Sequence, residues 1–211
     1  MRHNYTIDNN TFASNPGNAE LNKWTWFCHN KVIVSLLSLF LVCSIIAVII
    51  VNNAFSLLAI VAIVINIFYW TRIKEHFLSG ASNSGVIIGT NPTLIAVNTD
   101  LSKGFGNYPV IKIIESDSLK HLSIGDRVPT VALYTASNDI SLPHWIDFNP
   151  IPLSYATGSS KVITLAIKSY SPERWEQLER QLLAVKKPYK PGLYKVDKEQ
   201  SDWNELTNTL L

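Results

Sequence analysis

Few residues in this chain have the types and spacing that chemistry needs. The five histidines are His3, His29, His76, His121 and His144. None stands at metal-ligand spacing with Cys or Asp, so no metal and no cofactor is expected. His144-Trp145-Ile146-Asp147 puts an imidazole and a carboxylate three positions apart. Such a pair could serve acid–base chemistry, but that role needs a third positioned group. The simpler reading is a loop around a half-buried Trp145. Gly158-Ser159-Ser160-Lys161 lacks the upstream glycine and the strand–loop–helix order of a phosphate loop, so it reads as a hairpin turn. Ser159 and Ser160 sit in no nucleophile-elbow pattern. Lys186, Lys187, Lys190, Lys195 and Lys198 form a basic cluster with Tyr189 and Tyr194. It could meet anionic headgroups, at about 1 kcal/mol per charge near a membrane surface, or be a solvated face offset by Asp197 and Glu199. The expected binding residues are therefore His144, Trp145, Asp147, Lys186, Lys187 and Lys190. No catalytic residue is expected, and enzymatic activity is left open but weighted against.

The elements that must position these residues follow from charge distribution. Of 34 charged residues in 211, none lies between Lys31 and Arg72. Val32–Val51 and Ala54–Trp70 are 20 and 17 residues long and mostly Val, Ile, Leu, Ala and Phe. About 20 helical residues cross a hydrocarbon core of about 30 Å. Helices satisfy their own backbone in lipid, which makes a transmembrane pair the expected form. A soluble core helix would keep a wide polar stripe. Ser35, Ser38, Ser44, Ser56 and Asn66 form none. A signal peptide would have a shorter apolar stretch near the start. Asn52-Asn53 is the expected turn, because Asn tolerates left-handed backbone and bonds its own main chain.

Such a turn makes the helices antiparallel neighbours. Lys23, Lys31, Arg72 and Lys74 flank the pair on one side, and the turn carries no charge. The positive-inside rule then predicts a multi-pass membrane protein with both termini cytoplasmic. Trp24, Trp26 and Tyr69, Trp70 form the aromatic belt at that interface, with Lys31, Arg72 and Lys74. The antiparallel register places Asn66 either to hydrogen-bond Ser38 across the pair or, near the helix end, to reach interfacial water. Cys43 within the span and Cys28 at its entrance are not expected to pair. The absence of Asp, Glu, Lys or Arg inside the spans argues against a transporter.

The chain divides into a polar, Asn-rich tail with interfacial aromatics (1–31), the hairpin (32–80) and a β-rich cytoplasmic domain (81–211). The domain carries 13 basic and 13 acidic residues. Its neutrality gives no electrostatic footprint for nucleic acid. After a linker at 81–85, β-branched runs at 86–88, 93–98, 110–115, 128–135 and 162–169 read as five strands. Ser171-Pro172-Glu173 starts a helix whose Trp175, Leu178, Leu182 and Val185 share one face. Asp202 and Glu205 suggest a capping box for a last helix. The expected fold is α+β: a transmembrane helical hairpin, then a small antiparallel sheet or barrel with C-terminal helices.

Asn91-Pro92, Thr99-Asp100-Leu101, Tyr108-Pro109-Val110-Ile111-Lys112, Arg127 to Tyr134 and Pro191-Gly192-Leu193-Tyr194 resemble an uncharacterised bacterial domain family. Trp145 to Phe148, Tyr155-Ala156-Thr157 and Trp175 to Glu179 fit it too. The resemblance covers roughly residues 88–194 and excludes the hairpin. It implies a single bacterial domain and no assigned activity. With the hairpin, the resulting expectation is a cytoplasmic interaction or regulatory module anchored in the bacterial inner membrane. Its partners would be the lipid bilayer and a protein, without nucleic acid, and homo-oligomerisation is left open. The alternatives are an immunity-type inhibitor of a toxin at the membrane, and a tethered enzyme using His144 and Asp147.

Overall fold

The computed structural model describes residues 19–104, 107–139 and 141–196. The expected capping box at Asp202 and Glu205, most of the tail, and Lys198 lie outside them. Helices α2 (Lys31–Ile46) and α3 (Ser56–Ser79) form an antiparallel pair. With its π-helical last turn, Ala47–Val51, the first reaches 21 residues. Both helices are long and apolar enough to cross a membrane by length and composition. Asn52 makes the turn as expected: its side chain accepts from Ala54 N at 2.8 Å. Asn66 also bonds across the pair, but its Nδ2 donates to the Leu37 carbonyl (3.3 Å), not to Ser38, and to Ala62 O (2.9 Å). The backbone acceptor wins because Asn66 shares its amide with its own preceding turn.

Within the segment assigned to the tail, Lys23–His29 is a helix, α1, capped by Asn22, whose side chain accepts from Trp24 N and Thr25 N. The expected linker at 81–85 is instead the start of a strand. β1 (Ala81–Thr90) follows α3 directly, pairing Ala81 with Ala132 and Gly85 with Val97. Its Ser, Asn and Gly residues look like a loop. Most of their polar groups enter a buried network: Ser84 Oγ donates to Asn98 Oδ1 (2.7 Å), and Asn98 Nδ2 to Gln181 Oε1 (3.1 Å). Burial pushes the Tyr170 phenol up to about 12, so it stays protonated and donates to the Asn83 carbonyl at 3.0 Å.

The sheet is antiparallel, six-stranded and ordered β5-β4-β1-β2-β3-β6, with β2 (Thr93–Asp100), β3 (Pro109–Glu115), β4 (Arg127–Thr135), β5 (Asp147–Pro152) and β6 (Gly192–Lys195). Its curl is measured by one contact. Three strands separate β3 from β5, yet Lys112 Nζ on β3 reaches both Asp147 carboxylate oxygens (2.9 and 2.8 Å) and the Phe148 carbonyl (2.7 Å) on β5. The sheet therefore closes most of the way into a half-barrel. Ile87, Ile95, Val97, Val110, Val128 and Phe148 fill its inside. On the outside, Val86, Leu94, Ala96, Ile111 and Ile113 meet Tyr170, Trp175 and Leu178. The last two belong to α5 (Pro172–Leu183), where Pro172 holds the first helical position as expected.

The run at 162–169 is not a strand. It is helix α4 (Ser160–Ser169), with the Ser159 side chain accepting from Val162 N. Its β-branched residues mimic a strand, but Val162, Ile163, Ala166 and Tyr170 recur at helical spacing toward the interior. Gly158-Ser159 is thus a helix start and not a hairpin turn.

Candidate functional site

The junction between hairpin and domain is built from aromatic residues. Trp26 on α1 is buried, and its indole Nε1 donates to Tyr69 OH on α3 at 2.8 Å. Its ring meets Phe77 edge-on at 5.8 Å and Tyr155 at 6.4 Å. His29 stacks flat on Tyr155, with ring centroids 4.3 Å apart. His76 Nε2–H donates to the Val131 carbonyl at 2.9 Å, fixing the end of α3 to β4. Gly80 completes the junction: a Cβ there would collide with His76 O and with Val131 Cγ1. Only glycine lets the helix end approach β4 so closely.

The interfacial residues therefore separate into two roles. Trp24 is 71% exposed and faces outward. Lys23 Nζ sits 5.3 Å from the Trp70 ring, and Arg72 pairs with Glu75 at 2.7 Å. Lys31 and Lys74 are exposed. Trp26 and Tyr69 instead bond each other and join α1 to α3. Spacing cannot separate these roles, because both kinds of tryptophan flank the same span.

Burial, and secondly the neighbouring His121, hold the His29 pKa below its ordinary value. A lowered folded value makes the neutral form the stabilising one. That contribution is complete above about pH 6.5 and is lost as pH falls through the folded value. We expect thermal melts of the full chain in detergent to drop between pH 7 and pH 5, and His29→Asn to flatten that slope. An unchanged slope in the variant would assign the pH response to other groups.

The sequence-expected binding residues take up separate contacts. Both Asp147 oxygens are held by Lys112. His144 stacks on Tyr108 at 3.9 Å and donates from Nδ1 to the Trp145 carbonyl at 2.8 Å. Trp145 packs on the barrel interior, with Lys103 Nζ 5.2 Å from its ring. The hydrogen bonds of His144 and Asp147 thus go to different partners and do not form an acid–base pair. Lys186, Lys187 and Lys190 are exposed between α5 and β6. Lys187 Nζ lies 5.7 Å from the Tyr189 ring, and the Lys190 carbonyl accepts from Tyr194 OH at 2.8 Å. Among the described residues no group of three His, Cys, Asp or Glu could hold a metal ion.

A feature invisible in the sequence lies beside the junction. A groove of about 340 Å³ opens between Trp26 and Asn30, the end of β3 at Glu115 and Ser116, and the edge of β5 at Asn149–Pro152, with Tyr155 at its side. Three segments distant in sequence meet there, so no local motif marks it.

No curated protein matches this chain. One solved chain, described as a "putative membrane protein from Corynebacterium diphtheriae", is 17% identical with a TM-score of 0.44, covering 55% of this chain and 99% of its own. The model of the family described as protein of unknown function DUF3239 matches residues 70–185, from the aromatic end of α3 through the half-barrel to the end of α5. That match spans more than half of the sequence, and the chain belongs to the DUF3239 family.

Proposed function

We propose that this protein is an inner-membrane-anchored module whose α2–α3 hairpin spans the bilayer and holds the half-barrel domain at the cytoplasmic surface, where it binds a partner. One observation supports the anchor above all. The hairpin's large apolar side chains face outward: Val32, Ile49 and Ile50 are each 76% exposed, Leu57 is 70% and Phe68 66%. A core helix of a water-soluble protein would be buried, and contiguous apolar surface on this scale is rare outside membrane or partner contacts. The cations at 23, 31, 72 and 74 support the orientation.

The domain reads as an interaction module rather than an enzyme. The groups weighed for acid–base chemistry are engaged in packing: Asp147 with Lys112, and His144 with Tyr108. Orientation is tested by fusing alkaline phosphatase or a fluorescent protein after Leu211. The expected result is a fluorescent and phosphatase-negative cell. An active phosphatase would reverse the orientation.

A further inference from the structure

We propose that the groove between α1, the end of β3 and the free edge of β5 binds an alkylammonium group, supplied at the bilayer by the headgroup of an ethanolamine lipid. The argument begins with charge. Glu115 is the one acidic or basic residue of the groove lining, a carboxylate without a salt bridge among the described residues. An anionic ligand would be repelled there and a cation attracted.

The backbone adds acceptors without donors. Pro150 and Pro152 pair with Ala132 and Thr130 in the β4–β5 register. A proline has no N–H to give to the ladder, so Asn149 and Ile151 make the bonds to β4. The alternating residues Phe148 and Pro150 then turn their carbonyls away from β4. The Phe148 carbonyl confirms this direction, because it accepts from Lys112 Nζ across the gap. Pro150 falls in the same alternating row, and both Pro150 and Glu115 line the groove. The prolines have no N–H and the Phe148 N–H is taken by Asp147 Oδ1 at 2.8 Å, so this edge offers no free donor to an added strand, which would need donors as well as acceptors. It suits an ammonium, which carries three donors and no acceptor.

Aromatic walls complete the match. Tyr155 lines the groove beside the buried Trp26, and an aromatic ring face attracts a desolvated cation. His29 stacks on one face of Tyr155, and the Trp26 ring packs at a steep angle to it. A volume of about 340 Å³ admits a headgroup but not a folded segment. The position selects the source. Asn30, which lines the groove, precedes the first apolar helix, and exposed Lys31 follows it, where a headgroup phosphate would find a cation. The lipid source rests on the membrane reading of the hairpin, whereas ammonium recognition does not.

The test uses the full chain with two probes. In detergent, ethylammonium chloride is titrated against sodium chloride at equal ionic strength, with tryptophan fluorescence as readout because Trp26 lines the groove. In nanodiscs, the melting temperature is compared between phosphatidylethanolamine and phosphatidylglycerol bilayers. Glu115→Gln and Asn149→Lys alter exposed positions and leave the core untouched. A saturable ethylammonium response, weakened about tenfold or more in both variants, is expected from the loss of a charge-assisted contact. A higher melting temperature in the ethanolamine lipid, absent in both variants, is expected alongside it. An ethylammonium response with equal melts in the two bilayers would overturn the lipid source. No saturable response, or one that persists in Glu115→Gln, would overturn the site. The detergent titration needs no bilayer, so its failure is distinct from failure of the membrane anchor.

Discussion

Phe77→Ala is expected to cost about 3–5 kcal/mol, because a fully buried aromatic is removed and its cavity cannot collapse. Phe77 is 1% exposed and meets the edge of Trp26, which in turn bonds Tyr69. His76 beside it fixes α3 to β4, and Gly80 leaves no slack between the two. The ring therefore sits where α1, α3 and β4 converge. The loss should appear as a lowered melting temperature of the full chain in detergent, followed by circular dichroism. It should also open the segment around residues 71–80 to trypsin at Arg72 and Lys74. Phe77→Leu should recover much of the loss by refilling the volume. Equal melts for Phe77→Ala and the native chain would mean that the junction does not contribute to stability.

Ile60→Arg gives the second large effect, and its sign depends on the solvent around the hairpin. Ile60 is 56% exposed and lies within α3. On a water-facing surface, an isoleucine-to-arginine change costs within about 0.5 kcal/mol. At the centre of a membrane helix, insertion data put an arginine at about +2.5 to +3.5 kcal/mol. We expect the variant to lose membrane integration, seen as reduced carbonate-resistant protein in the membrane fraction. Full retention at native levels would contradict a spanning α3.

The two halves of the molecule were not equally legible in the sequence. The hairpin could be read because lipid imposes a rule on composition: forty consecutive positions carry no formal charge. The first four strands could be read because their cores are β-branched and bounded by turns. The pattern failed where two principles competed. Val162 to Ile167 carries strand-like side chains, but the Ser159 cap and an inward face at helical spacing made it α4. Pro150 and Pro152 hid β5, since prolines argue against a central strand, and β5 proved to be an edge. Ala81–Gly85 looked like a linker because its polar groups find their partners only after folding. The groove was not legible for the same reason. Its Glu115 and Trp26 are unremarkable alone and meet only because the sheet curls until Lys112 touches Asp147.

The native cysteines allow the most direct test of the membrane anchor without altering the protein. Cys43 lies in α2 and Cys28 in α1, and both are free and exposed on the protein surface. If α2 crosses the bilayer, lipid covers Cys43 while Cys28 stays at the interface. In inverted membrane vesicles a membrane-impermeant maleimide should label Cys28 and leave Cys43 unmodified until the membranes are dissolved in SDS. Labelling of Cys43 at the rate of Cys28 in intact vesicles would show that water, not lipid, surrounds the helix, and would contradict the account.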